Sequence, residues 1–182
     1  LDTVGVIMLA QGVDITKFTK DQYANALDFL QKKISDGFIR QVKGNDYKED
    51  LISGDAVAVI GWSGDAFQLA AENDGKFEFA IPESGGTISA DNFIIPSTSK
   101  NKANVEKLIN YYYEPEVAAK VAAYVNYITP VQGAQAAMEK VDPNLVNNEL
   151  IFPTAKTQSM LHVFRNLTPA EETEFTDAFQ KA

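Results

Sequence analysis

Ala56-Val57-Ala58-Val59-Ile60-Gly61-Trp62-Ser63-Gly64-Asp65 is the stretch on which the fold turns. Ala56 to Ile60 is an unbroken apolar run rich in β-branched residues, bounded by Gly54-Asp55 and by Gly61. A strand apolar on both faces is one that helices cover on both sides, as in the parallel sheets of α/β proteins. Asp65 to Asn73 then reads as helix. A buried strand is thus expected to pass through a glycine turn into a helix, the unit from which α/β sheets are built.

The flanks continue the alternation. Thr19-Lys20-Asp21-Gln22 has the spacing of a capping box, with Thr19 as N-cap. Tyr23, Ala26, Leu27, Leu30 and Ile34 recur every three or four residues and give one apolar helical face, which Gly37 ends. A second helix is predicted through Tyr47 and Leu51 as far as Gly54. Phe77, Phe79 and Ile81 alternate as a strand closed by Pro82, Gly85-Gly86 turns the chain, and Phe93-Ile94-Ile95 is a further short buried strand. Beyond it the sequence turns helical: Val105, Leu108, Ile109 and Tyr112 share a face, and Pro115 suits the first turn of the next helix. Gln132 to Lys140 is another helix. The last opens on Thr168-Pro169-Ala170-Glu171, a second capping box.

Composition narrows the chemistry. A net charge of −9 repels phosphate backbones, which argues against nucleic acid as a partner and is compatible with a cationic ligand. The longest apolar stretches, Val4 to Ala10 and Ala56 to Trp62, fall far short of the roughly 20 residues of a membrane span. With no cysteine there is no thiolate or disulfide chemistry, and no spacing of His, Asp or Glu suggests a metal site, so no cofactor is expected. The absence of an initiator methionine before Leu1-Asp2 reads as a cut inside a longer protein.

Gly61-Trp62-Ser63-Gly64-Asp65 superficially has the form of a nucleophile elbow. It lacks the final glycine, and the single histidine, His162, expected in a helix or its loop, is the one available base. A serine hydrolase centred on Ser63 is therefore the weaker reading. A binding site fits better. Trp62 ends the expected buried strand and Asp91 precedes the next, and open α/β sheets gather ligands outside strand ends. Core packing competes for Trp62, and a turn cap for Asp91. Tyr127 lies in an inter-helical loop, where functional residues concentrate.

Several segments resemble one known family. Ala58-Val59-Ile60-Gly61-Trp62-Ser63-Gly64-Asp65-Ala66, Phe79-Ala80-Ile81-Pro82-Glu83-Ser84-Gly85-Gly86 and Asp91-Asn92-Phe93-Ile94-Ile95-Pro96 are similar to the polyamine (spermidine/putrescine)-binding proteins of ABC importers. The likeness continues through Leu108 to Ala118, Tyr127-Ile128-Thr129-Pro130 and Phe164 to Glu172. Tyr111-Tyr112-Tyr113-Glu114-Pro115-Glu116-Val117-Ala118-Ala119, together with the Phe164-Arg165 ending, looks closest to actinobacterial members.

The resemblance implies an α/β fold of the periplasmic-binding-protein-like (type II) class, two lobes joined by a hinge, present here as the C-terminal fragment. Residues 1–90 would form most of the second lobe, 91–130 would cross to the first, and 131–182 would return. It implies a non-enzymatic, extracytoplasmic solute-binding component that takes polyamines in the inter-lobe cleft and delivers them to an ABC permease. By position, Trp62 matches a ligand-stacking tryptophan, Asp91 the carboxylate that grips an amine, and Tyr127 a ligand-contacting tyrosine. Asp2 falls where the family often has an acidic contact. Ser89 departs from a frequent Trp-x-Asp pattern, leaving one aromatic wall absent, and another small solute is the alternative ligand. The apolar 91–130 stretch is expected to make the fragment dimerise or to fold back into a rearranged packing.

Overall fold

A computed structural model describes residues 2–182. Packing groups them into two compact units. The first takes the chain up to Gly61, with Ala80–Ser89 and Ser159–Ala182; the second takes Trp62–Phe79 and Ala90–Gln158.

The first unit is built on helices α1 (Asp2–Ala10), α2 (Lys20–Ser35), α3 (Tyr47–Ser53) and α9 (Pro169–Gln180), with strands β1 (Gly86–Thr87) and β2 (Leu161–His162). The Thr19 capping box forms as read, with the Thr19 side chain accepting from the Gln22 N–H and the Gln22 side chain returning to the Thr19 N–H. Its apolar face meets α1: Val4, Ile7, Met8 and Leu9 pack with Tyr23, Ala26, Leu27 and Leu30, joined by Ile15, Phe18 and Phe175. The Tyr23 and Phe175 rings stack at 4.1 Å, and the Tyr23 hydroxyl donates to the Phe175 carbonyl. Burial pushes the Tyr23 hydroxyl above its ordinary pKa. The two strands run parallel, Gly86 opposite Leu161 and Thr87 opposite His162. Gly5 lets β1 lie close on α1, since a Cβ there would stand 3.1 Å from the Thr87 methyl.

The second unit holds α4 (Ser63–Glu72), α5 (Lys102–Tyr112), α6 (Pro115–Val125) and α7 (Ala134–Val141); α8 (Ala155–Ser159) follows as the chain leaves it. Proline opens α6 as expected. Helices α6 and α7 pack through Ala119, Ala122 and Met138, with Ile151 sealing the contact and Val141, Leu145 and Phe152 around it. Small alanines on α6 bring the two backbones close, and Met138 fills the remaining space.

The expected strands are where the structure differs. Among the described residues the sheet is the two-stranded β1–β2 pair. Ala56–Ile60, Phe77–Ile81 and Phe93–Ile95 are irregular and belong to no ladder. The reason is that a strand exists through its neighbour's hydrogen bonds, not its own composition. The Ala56 N–H goes instead to the Asp50 carbonyl, closing the turn after α3. Val57, expected in a central strand, is fully exposed, and Ile94 is 83% exposed. His162 lies on a strand rather than on a helix or its loop, because the Ile88 N–H and His162 carbonyl carry the parallel ladder on. Residues 91–113 do not fold back into a core: Phe93, Leu108, Tyr111 and Tyr113 stand exposed, with Phe93, Tyr112 and Tyr113 in edge-to-face contact with one another.

Candidate functional site

Trp62, Asp65 and Tyr127 of the second unit come to the start of α4. Trp62 is its N-cap residue, with extended backbone (φ −81°, ψ 140°) and a side chain 42% exposed. Ser63, Gly64 and Asp65 form the first turn, where the first N–H groups of a helix have no intrahelical acceptor. Tyr127 supplies one. It follows the C-cap of α6 and its hydroxyl accepts from the Asp65 N–H. Burial is the main cause holding the Tyr127 hydroxyl above its ordinary pKa, the Asp65 carboxylate raises it further, and that N–H partly opposes both. Tyr127 is therefore a neutral phenol over the physiological range and is 39% exposed.

The Tyr127 ring packs against Gly64. A Cβ on Gly64 would stand 2.5 Å from Cε2 and 2.6 Å from Cζ of Tyr127, so no other residue fits without moving the ring. Glycine in a helix is disfavoured relative to alanine by about 0.5–1 kcal/mol, a cost that the packing of the ring offsets here. Asn126 turns the chain into Tyr127 through a left-handed conformation (φ 58°), buried to 6% exposure, with its N–H on the Ala122 carbonyl. Asparagine tolerates that region better than other non-glycine residues. Neither Gly64 nor Asn126 was singled out from the sequence. The sequence predicts helix only from Asp65, which leaves Gly64 in the turn before it, where a glycine carries no signal.

The structure therefore brings Trp62 and Tyr127 to one helix turn, with the Asp65 carboxylate in that turn as a negative charge against the positive helix end. Asp91 stands exposed in the irregular segment that also exposes Asn92, whose amide donates to the Ala90 carbonyl. Ser89 is exposed at the end of the first unit's middle segment, and Asp2 is exposed in the first turn of α1. Elsewhere in the second unit, an open depression of about 270 Å³ is lined by Thr129, Gln132, Gln135, Phe152 and Gln158 among others; none of the five expected residues lines it.

The hydrolase reading loses its structural context. A nucleophile elbow strains its serine on a sharp strand-to-helix turn. Ser63 is an ordinary first helical residue, and the run before it forms no strand.

The chain belongs to the bacterial extracellular solute-binding proteins: the family's sequence model matches residues 4–153. It is 29% identical over 175 residues to the putrescine-binding periplasmic protein PotF of Escherichia coli, covering 93% of this chain and 46% of that protein. It is 36% identical over 98 residues to the spermidine/putrescine-binding periplasmic protein of Salmonella typhimurium, covering 54% of this chain and 27% of that protein. Among solved structures, a Listeria monocytogenes protein assigned to spermidine/putrescine ABC transport superposes with a TM-score of 0.82 at 27% identity, over 99% of this chain and 54% of that one. A spermidine/putrescine ABC transporter substrate-binding protein of Streptococcus pneumoniae, at 23% identity and a TM-score of 0.78, shares the fold. The fold is thus of the α/β, periplasmic-binding-protein-like (type II) class. The chain spans about half the length of PotF and of the Listeria protein. These relatives do not bear on the likeness to actinobacterial members. No helix among the described residues is long and apolar enough to cross a membrane.

Proposed function

We propose that this chain is part of an extracytoplasmic solute-binding component of an ABC importer, and that the whole protein captures a polyamine such as putrescine or spermidine for delivery to a permease. The observation that carries the reading is that Trp62, at the N-cap, and Tyr127, against Gly64, both lie at the first turn of α4, in a chain whose relatives are named for putrescine and spermidine binding.

A polyamine is a flexible methylene chain bearing ammonium groups. Aromatic faces bury the methylenes and attract the cations, each worth about 0.5–2 kcal/mol. A neutral tyrosine hydroxyl and carboxylates accept the ammonium hydrogens, the carboxylates as charge-assisted bonds. Trp62 is assigned the stacking wall, Tyr127 a hydroxyl contact, Asp91 the carboxylate on a ligand amine, and Asp2 a further acidic contact.

In the whole protein, ligand capture is assigned to hinge closure between two lobes. The exposed runs Ala56–Ile60 and Phe93–Ile95 are assigned partners in the part of the relatives' length that this chain does not span. A lipid anchor or fusion to the permease is the expected membrane attachment. No chemical step on the ligand is proposed.

Ser89 favours one second reading, the same fold holding another small solute, because a serine replaces the expected aromatic wall. Thermal-shift screening of the whole protein against polyamines, amino acids and sugars separates the two. Stabilisation by putrescine or spermidine alone supports the first, and stabilisation by an uncharged solute alone supports the second.

A further inference from the structure

Gly64 occupies the second position of α4, where its backbone is not in the left-handed region and any residue could follow the helix. The glycine is therefore present for space and not for its dihedral freedom. The space is taken by one ring: the three nearest atoms to a Cβ at Gly64 would be Cε2, Cζ and Cδ2 of Tyr127, at 2.5, 2.6 and 2.9 Å. Ordinary carbon–carbon contact needs about 3.5–4.0 Å. The ring cannot simply retreat, because the chain behind it is held. The left-handed Asn126 is buried, with its N–H on the Ala122 carbonyl and its side-chain amide donating to the Tyr124 carbonyl.

We propose that Gly64 and Asn126 are positioning residues of the ligand site: Gly64 seats the Tyr127 ring on the first turn of α4, two residues from Trp62, and Asn126 aims the chain that delivers it. The proposal rests on the reading of Trp62 and Tyr127 as ligand contacts. Any side chain at Gly64 lifts the ring off the helix, separates its hydroxyl from the Asp65 N–H and changes the spacing between the two aromatic groups. Asn126 acts from the other side, since a residue that leaves the left-handed region redirects the loop and carries the ring away.

The test uses the whole protein and three variants, Gly64→Ala, Tyr127→Ala and the double variant. Three quantities are read: the titration of Tyr127 by NMR of ring-labelled tyrosine, with Tyr127→Phe for assignment, the putrescine Kd by calorimetry, and Tm. Gly64→Ala is expected to bring the Tyr127 titration down toward that of an ordinary tyrosine and to weaken putrescine at least tenfold. In the Tyr127→Ala background the same change is expected to leave Kd within twofold and Tm undiminished, because the alanine then meets no ring and favours the helix. An unmoved Tyr127 titration in Gly64→Ala overturns the proposal, as does an equal loss of binding with and without the Tyr127 ring. If putrescine binds none of the proteins, the ligand reading fails by itself. The ligand-free titration then decides the seat alone, a shift supporting it and no shift overturning it.

Discussion

The Arg165 guanidinium meets the Glu171 carboxylate fork to fork, Nη2 donating to Oε1 at 2.8 Å and Nη1 to Oε2 at 3.1 Å. The same guanidinium lies 4.3 Å from the Phe18 ring centre and donates from Nε to the Phe18 carbonyl. Glu171 in turn accepts the Thr168 N–H as the third residue of the α9 capping box. One ion pair thus ties the start of α9 to the loop before α2.

Glu171 is held at a pKa of about 2, below its usual 4.5, first by the Arg165 hydrogen bonds and then by the Thr168 N–H. A carboxylate with a depressed folded pKa stabilises fully above its unfolded value, and the contribution fades as pH falls through 4.5 toward 2. Glu171→Gln is therefore expected to lower Tm at pH 7 and to approach the parent's Tm near pH 2. Thermal unfolding across that range checks it. A deficit that does not shrink with acid would show that the pair acts through packing.

The stacked Tyr23–Phe175 pair and the exposed Val57 give opposite expectations in the same unit. Phe175→Ala empties the centre of the α1–α2–α9 core and is expected to cost about 3–5 kcal/mol. Val57→Ala is expected to stay within about 0.5 kcal/mol, as surface substitutions do. Denaturant unfolding of the two variants measures both. A large cost at Val57 would place Ala56–Ile60 in a buried strand after all.

That contrast also marks what the sequence could convey. Thr19, Gln22, Thr168 and Glu171 were readable as caps because capping is local, a matter of residues three apart. Gly54 and Pro115 were readable for the same reason. Val57 and Ile94 were misread because burial of a strand depends on distant chain that composition does not reveal. Trp62 stood out as the single tryptophan, but its helix cap position did not. Gly64 went unnoticed because its partner, Tyr127, lies 63 residues away in the sequence.

Phe93, Ile94, Leu108, Tyr111 and Tyr113, before, on and just after α5, are each exposed, and large exposed apolar surfaces are uncommon on stable monomers. The 182-residue chain on its own is expected to self-associate through them. Light scattering over a dilution series should show mass falling with concentration, and Ile94→Lys with Leu108→Lys should shift the chain to monomer throughout. A parent chain that is monomeric at every concentration contradicts this.

Calorimetry of putrescine binding to the whole protein, alongside Trp62→Ala and Asp91→Asn, tests the functional reading most directly. The parent is expected to bind putrescine saturably. Asp91→Asn should weaken it by about 2–5 kcal/mol, the scale for truncating one partner of a buried charge pair, while leaving Tm nearly unchanged. Trp62→Ala should lose a further aromatic contact, about 0.5–2 kcal/mol. A parent that binds no polyamine, or variants that bind as well as the parent and differ only in Tm, would contradict it.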